Sequence, residues 1–440
     1  MPSLSELEQD PHAALARLRA QSPVAWVPAL DGWLVTGYAD AVTVMRDSRT
    51  FTVDDPRFST ARVVGPSMLS LDGPAHSRHR SPFFAAFHRG GAAERLPAFA
   101  EAEATRLVDA IRPAGAADVR RELSGPLAVA VVTEALGLGD VAPAEILALY
   151  TRIVGGVTGL SGDQGDPSHP GNPPGPDNLS SPSGPGTPPS PSDPSGPSGH
   201  TRIGDPGSEA SVAQDSTGIA PPDPDSVAAF AALAGMLRAV IDGATAEQSS
   251  VLATAAAGGG LSPEEIISDA AVVMFGGIDT TDGMIANAVL HLLAEPGELD
   301  RVRSDPALLP AVVEESLRLE PAAAIVDRYA TADVEIGGAK VQAGDRVTVS
   351  LSGANRDPAV FAEPDRFVPG RPEAGRHLAF AHGPHFCIGA PPARAETLAA
   401  LRALLPLPGL RLDPAAAAGQ AIAPRGLVFR KPPVLPVRWD

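Results

Sequence analysis

Cysteine is the scarcest reactive residue in this 440-residue chain: it occurs once, as Cys387. One thiol excludes an intramolecular disulfide and any zinc or iron–sulfur site built from several cysteines. A lone cysteine is then inert filler, a ligand or a nucleophile. Positive charge is also short. Lys and Arg number 34 against 52 Asp and Glu, a net charge of −18. So acidic a chain is a poor partner for a phosphate backbone, and no nucleic acid is expected. Long apolar runs are missing as well. The longest clean ones, such as AAVVMFGGI at 270–278, fall far short of the roughly 18 residues that span a bilayer. The opening MPSLSELEQDPHAALARLRA has no basic n-region and no apolar h-region. No signal peptide and no membrane are expected, and the expected location is cytoplasmic.

What is present is enough apolar residue, 44%, to bury a large core. Helical spacing, with apolar residues three and four apart, runs through 12–20, 39–47, 91–112, 122–137 and 142–156. It resumes at 226–242, 263–295, 298–304, 306–319 and 390–404. VAWVPAL and GWLVTGY read as strands joined by a turn at Asp31-Gly32. VDRYATADVEIGG and VQAGDRVTVSL alternate apolar and polar residues and read as further strands. The expected fold is mainly α with a minor β-sheet region fed from both ends of the chain, hence a single large domain over 1–440. One segment departs from this pattern. Between 161 and 200, 29 of 40 residues are Pro, Gly or Ser. Such a composition cannot bury enough surface to offset its ordering entropy. Residues 160–222 are therefore expected to form a disordered insert between two helices.

The lone cysteine sits in FAHGPHFCIGA, residues 380–390. A thiolate is a strong, soft metal ligand and needs donors and positive potential to stay ionised. Gly383 and Gly389 bracket Cys387, and a helix starting just after it adds a positive dipole end. A buried structural cysteine, a zinc site with His382 and His385, and a Cys–His nucleophile are the other readings of these residues. The loop resembles the haem-binding loop of the cytochrome P450 family, Phe-Gly-x-Gly-x-His-x-Cys-x-Gly. Phe380, Gly383, His385, Cys387 and Gly389 fit it, and Ala381 stands where the pattern has its first glycine. The resemblance implies haem b with Cys387 as axial ligand of the iron, a thiolate that favours O–O cleavage.

Other segments carry the same resemblance in the same order. Glu315 and Arg318 match the family's Glu-x-x-Arg, and i, i+3 spacing puts them on one helix face. The resemblance makes that pair structural, with Arg366 from FAEPDRFVPGR as third member and Arg371 as fallback. VVMFGGIDTTDGMIANAVL (272–290) resembles the family's long central helix. There Gly276 and Gly277 allow close approach over the haem. Thr280 can bond the Gly276 carbonyl and donate to the oxygen being activated, and Asp279 can relay protons. His76 and Arg80 in GPAHSRHR, Arg328 in VDRYAT, and His385 match the residues that hold the haem propionates. By resemblance the substrate cavity is lined by Val64 to Met68, by Met274, Phe275 and Gly277, and by Ala323, Ala324 and Val326.

The implied activity is monooxygenation of an apolar small molecule, free or carrier-bound, plausibly in secondary metabolism. Electrons would come from NAD(P)H through a separate ferredoxin and ferredoxin reductase. Arg78, His79 and Arg394 are surface candidates for that docking. A P450 catalysing coupling, desaturation or decarboxylation is the alternative. A non-catalytic haem sensor is the remaining one, against which an intact acid–alcohol pair speaks.

Overall fold

The computed structural model describes residues 1–89, 91–160, 222–243 and 250–440. Its first helices are α1 (Leu4–Gln9) and α2 (His12–Gln21), followed by strands β1 (Val24–Val27) and β2 (Gly32–Val35). The turn between the strands is longer than the expected Asp31-Gly32 pair, because Pro28–Leu30 form a 3₁₀ turn and Gly32 already belongs to β2. Asp31 takes a left-handed conformation at φ 46, and Val27 pairs with Gly32. Then come α3 (Tyr38–Arg46), β3 (Phe51–Thr52), α4 (Ser59–Val64), α5 (Gly73–Arg89) and α6 (Gly91–Ile111). After β4 (Ala116–Asp118), the expected helix 122–137 begins as a π-helical turn, Arg120–Ser124, and continues as α7 (Gly125–Leu136). Helices α8 (Pro143–Leu160) and α9 (Pro224–Asp242) pack along each other. Residues 161–221, the body of the expected insert, lie outside the described residues.

Helices α10 (Val251–Ala257), α11 (Pro263–Ala294), α12 (Glu298–Ser304) and α13 (Leu309–Leu319) follow. The two late strand readings each break in two, into β5 (Ile325–Ala330) with β6 (Val334–Ile336), and β7 (Ala339–Val341) with β8 (Arg346–Ser350). β6 and β7 pair with each other as a hairpin, with Gly337 and Gly338 at positive φ supplying its turn. The chain ends with α14 (Leu351–Ala354), α15 (Ala390–Leu404), β9 (Arg411–Leu412) and β10 (Pro436–Arg438).

The main sheet has the order β1-β2-β8-β5-β3. The β2–β8 pair is parallel and the others antiparallel. Strands from both ends of the chain meet in it, as expected. A second sheet, β4-β10-β9, fastens the C-terminus.

α11 is the axis of the helical part. Ser262 and Glu265 cap its start reciprocally, and Pro263 occupies its first turn. Twenty of its residues are buried, on all sides of the helix, the mark of a central helix. It packs on α7, α13 and α15. A Cβ on Gly277 would overlap Val132 of α7, while a Cβ on Gly276 would meet nothing. The paired glycines therefore have different uses. Gly277 serves the helix crossing rather than the cavity wall, and Gly276 alone faces open space.

Candidate functional site

The cysteine loop is set between α3 and α15. Gly383 has φ +75, and a Cβ there would come within 2.5 Å of the Met45 carbonyl oxygen. Glycine is required at this position on both counts. Ala381 has φ 58, so the departure from the family pattern falls at a left-handed position and carries backbone strain. The Cys387 N–H donates to the Phe380 carbonyl at 2.9 Å. Burial pushes the thiol up, while the N–H groups of Gly389 and Ala390 and the cations Arg80 and Arg394 pull the other way. Phe380 is buried with the Arg394 guanidinium 4.4 Å from its ring centroid.

Beside this loop the structure gathers the expected cations. His76 is buried, its Nε2 has no partner, and its ring centroid lies 4.3 Å from that of His385. Burial, with His385 and Arg80 nearby, lowers His76 to about 4. Arg328 is also buried and donates to the Asp327 carbonyl at 2.7 Å. Burial lowers it to about 10. Arg80 donates to the Phe386 carbonyl at 2.6 Å. Among the described residues neither arginine has an ion-paired carboxylate. A cleft of about 520 Å³ opens here, lined by His76, Ser77, Arg80, Ser81, Phe84, Ala85 and Pro384. His385 differs from the other three. Its Nε2 meets Asp72 Oδ1 at 2.9 Å. Burial alone would raise Asp72, but hydrogen bonds from His385, Thr52 and the Val53 N–H hold it at about 2. Only the other ring nitrogen of His385 is left for a ligand.

A buried guanidinium without a carboxylate and an orphaned imidazole nitrogen are costly. An anionic group in the site would satisfy both. Haem carries two carboxylates and an iron that takes a thiolate, so the residues present fit it.

On α11 the Thr280 hydroxyl donates to the Gly276 carbonyl, as the sequence suggested. Asp279 is placed differently from a solvent-facing relay. It is buried, with Lys431 Nζ 2.7 Å from Oδ1 and the Tyr150 hydroxyl 2.6 Å from Oδ2. Lys431 also donates to Asp282 at 2.8 Å, and Arg120 and Ser124 bind the same carboxylate. Burial would raise Asp282, but Arg120 and Lys431 hold it well below the usual carboxylate range. Burial would lower Lys431, but Asp279 and Asp282 keep it raised. Burial and the neighbouring Asp279 push Tyr150 well up, so it stays a donor. Two carboxylates and two cations thus form a neutral buried quartet. Tyr150, Lys431, Asp282 and Arg120 are not marked by any motif in the sequence. The available signal was Asp279 and Asp282 on one face of an apolar helix, since buried acids require cations.

The Glu315–Arg318 pair is fully buried, Nη2 to Oε1 at 2.9 Å. Its third member is Arg371, whose Nε lies 2.9 Å from both Glu315 oxygens. The expectation of Arg366 is corrected. Its guanidinium is exposed on Glu363, and only its carbonyl joins, accepting from Arg318 Nη2. The docking candidates also need correction. His79 is 2% exposed and pairs with Asp269, so it is not a surface residue. Arg78 is paired with Glu265 and Arg394 with Glu314.

The expected cavity lining separates into groups. Val64, Met68, Met274 and Phe275 share one apolar cluster. Ala323 bridges to Phe429, whose ring lies edge-on to Phe275 at 5.4 Å. Phe429 was not foreseen. Val326 packs on the sheet's own core, and Ala324 lines a small cavity with Leu7, Leu15 and Leu427, away from Met274.

Known proteins resemble this chain along most of its length. A family model described as Cytochrome P450 matches residues 241–414. Cytochrome P450 monooxygenase PikC of Streptomyces venezuelae is 31% identical, covering 98% of this chain and 91% of its own length. The crystal structure of CalO2 superimposes with a TM-score of 0.78 at 27% identity, over 100% of this chain and 99% of that one. The crystal structure of HmtN, a post-tailoring hydroxylase involved in himastatin biosynthesis, gives 0.71 at 25% identity over 100% of both chains.

Proposed function

The chain belongs to the cytochrome P450 family of monooxygenases, and from that premise we propose that it inserts one oxygen atom of O2 into an apolar organic molecule. The second oxygen atom leaves as water, with two protons and two electrons taken up. NAD(P)H is the proposed electron source, through a separate ferredoxin and its reductase, in the cytoplasm. Tailoring of a secondary metabolite is the proposed setting, by likeness to HmtN, named a post-tailoring hydroxylase.

The observation that carries this reading is the thiol at the head of α15 beside the buried Arg328, which has no ion-paired carboxylate, and the buried His76, whose Nε2 has no partner. Bound haem supplies the activation of O2. Cys387 would hold its iron, and Arg80, Arg328 and His76 would hold its carboxylates. The N–H groups of Gly389 and Ala390 lower the cost of negative charge on the sulfur. Thr280 rests its proton on the Gly276 carbonyl and can turn to donate it at the reacting oxygen. Asp279, the residue before it, is the carboxylate that would take a replacement proton from Lys431 or the Tyr150 hydroxyl and pass it on. Lys431 and Tyr150 fix the two Asp279 oxygens, so the proton would be handed over through these groups. Phe275, Phe429, Met68 and Met274 give the substrate an apolar wall. The 160–222 segment is read as a passive tether. Deleting 161–220 should leave haem content and turnover unchanged, and a loss of substrate affinity would instead make it a recognition element.

The test is a carbon monoxide difference spectrum of the purified, reduced protein. The band of a haem-thiolate is expected, and it should vanish in Cys387→Ser. A protein that binds no haem overturns the reading. Titration with macrolide, terpenoid, aromatic and carrier-bound peptide compounds, followed at the ferric haem band, then identifies the substrate class.

A further inference from the structure

Asp269 has no part in the chemistry above. It lies on α11 ten residues before Asp279, in an otherwise apolar stretch, and is fully buried. Both oxygens are used. Oδ1 accepts the Met68 N–H at 2.6 Å, and Oδ2 lies 2.8 Å from His79 Nδ1. Three elements therefore converge on one carboxylate: α11, α5, and the loop that follows α4. The loop is tied down at other points too. Gly65 has φ +84, and a Cβ there would meet Ser268 Oγ of α11 at 3.3 Å. The Ser67 N–H donates to Ser70 Oγ at 3.1 Å, with both serines buried. Met68 itself is buried in the cluster that holds Val64, Met274 and Phe275.

A backbone N–H buried with Met68 must find an acceptor. A carboxylate in an apolar helix is a costly one, because burial opposes its charge. What it adds over a neutral acceptor is a stronger bond and a second attachment. That attachment is His79, which is 2% exposed. His79 is the residue before Arg80 and three after His76, so it rides on the helix that carries the cofactor cations. Beyond it, Arg78 and Glu265 close the cluster toward the surface.

We propose that Asp269 is a positioning residue that pins the loop Gly65–Ser70 to α11 and, through His79, to α5, and so sets the width of the substrate cavity. The inference rests on the reading of Val64 and Met68 as cavity wall under the proposed function.

The test uses the holoenzyme and two variants. Asp269→Asn keeps an acceptor for the Met68 N–H and sets an amide N–H opposite His79 Nδ1, which the other imidazole tautomer accepts, whereas Asp269→Ala removes both contacts. Hydrogen exchange of the peptide over 65–70 should speed up about tenfold or more in Asp269→Ala, from the loss of a charge-assisted bond. In Asp269→Asn it should stay near wild type. Ligand binding is read at the haem band with imidazole, which is small, and 4-phenylimidazole, which must fit the cavity. Asp269→Ala should bind 4-phenylimidazole about tenfold more weakly with imidazole unchanged, and Asp269→Asn should restore the affinity. Equal exchange in wild type and Asp269→Ala, or equal 4-phenylimidazole affinity, overturns the proposal. If Asp269→Ala does not fold, wild type decides. A Met68 amide exchanging as fast as an exposed loop overturns the proposal, and protection comparable to the middle of α11 supports it. Failure of imidazole to shift the band in wild type would count against the haem reading alone, because the exchange result does not depend on it.

Discussion

Ala381 and Glu396 each sit in an environment ill suited to their type. Ala381 sits at φ 58 in the cysteine loop, where its family pattern has glycine. A left-handed alanine costs about 1–2 kcal/mol, and glycine's extra chain entropy costs about 0.5–1 kcal/mol in return. Ala381→Gly should therefore stabilise the holoenzyme by roughly 0.5–1 kcal/mol, seen as a higher denaturant midpoint with the carbon monoxide spectrum unchanged. Glu396, in the second turn of α15 beyond the cysteine, is 4% exposed, and its Oε2 has no partner. Burial pushes its carboxyl well up, so the folded protein keeps the proton that the unfolded chain loses above about 4.5. The unfolded state then binds fewer protons, and stability falls as pH rises through 4.5 toward the folded value. One such proton is worth at most about 1.4 kcal/mol per pH unit. Glu396→Gln should remove this decline. Unfolding free energies measured at pH 5 and pH 8 should differ less in the variant than in wild type, and equal differences would refute the assignment.

Between elements, the Glu315–Arg318–Arg371 clasp fastens α13 to the segment that leads into the cysteine loop. All three side chains are buried, and the arginines also take the carbonyls of Asn355, Ala362, Pro364 and Arg366. A lysine at 371 cannot reproduce a planar fork with bonds in several directions. Arg371→Lys should cost about 1–3 kcal/mol, because the charge stays but the buried carbonyls lose their donors, and lower haem retention. Arg366→Ala should cost less than about 1 kcal/mol, because its ion pair with Glu363 is exposed. The order of the two thermal midpoints tests whether Arg371 rather than Arg366 is the third member of the clasp. Sequence alone placed Glu315 and Arg318 together because three residues along a helix face is a local relation. It could not choose between Arg366 and Arg371, which lie in irregular chain where no periodicity assigns direction.

Across the whole molecule, the quartet of Asp279, Asp282, Lys431 and Arg120 joins α11 to the π-helical turn and the C-terminal segment, and Tyr150 adds α8. Removing one cation leaves two buried carboxylates with a single arginine. Lys431→Met should destabilise the protein by about 3–5 kcal/mol. It should also lower product formed per NAD(P)H consumed, since Asp279 loses its fixed position. The ratio of product to hydrogen peroxide separates that effect from lost stability.

Most helices, the glycine demanded at 383 and the Glu315–Arg318 pair were legible in the residues themselves, because each is a short-range pattern that acts within a few residues. The roles given to Cys387, to Asp279 and Thr280 and to the haem-carboxylate residues came instead from the family resemblance and stand as proposals. Residues Tyr150, Lys431, Phe429 and Asp269 carried no such mark. Each gains its meaning from a partner more than a hundred residues away. Only the packing of α11 against the other helices and the C-terminal segment determined which buried charge would meet which.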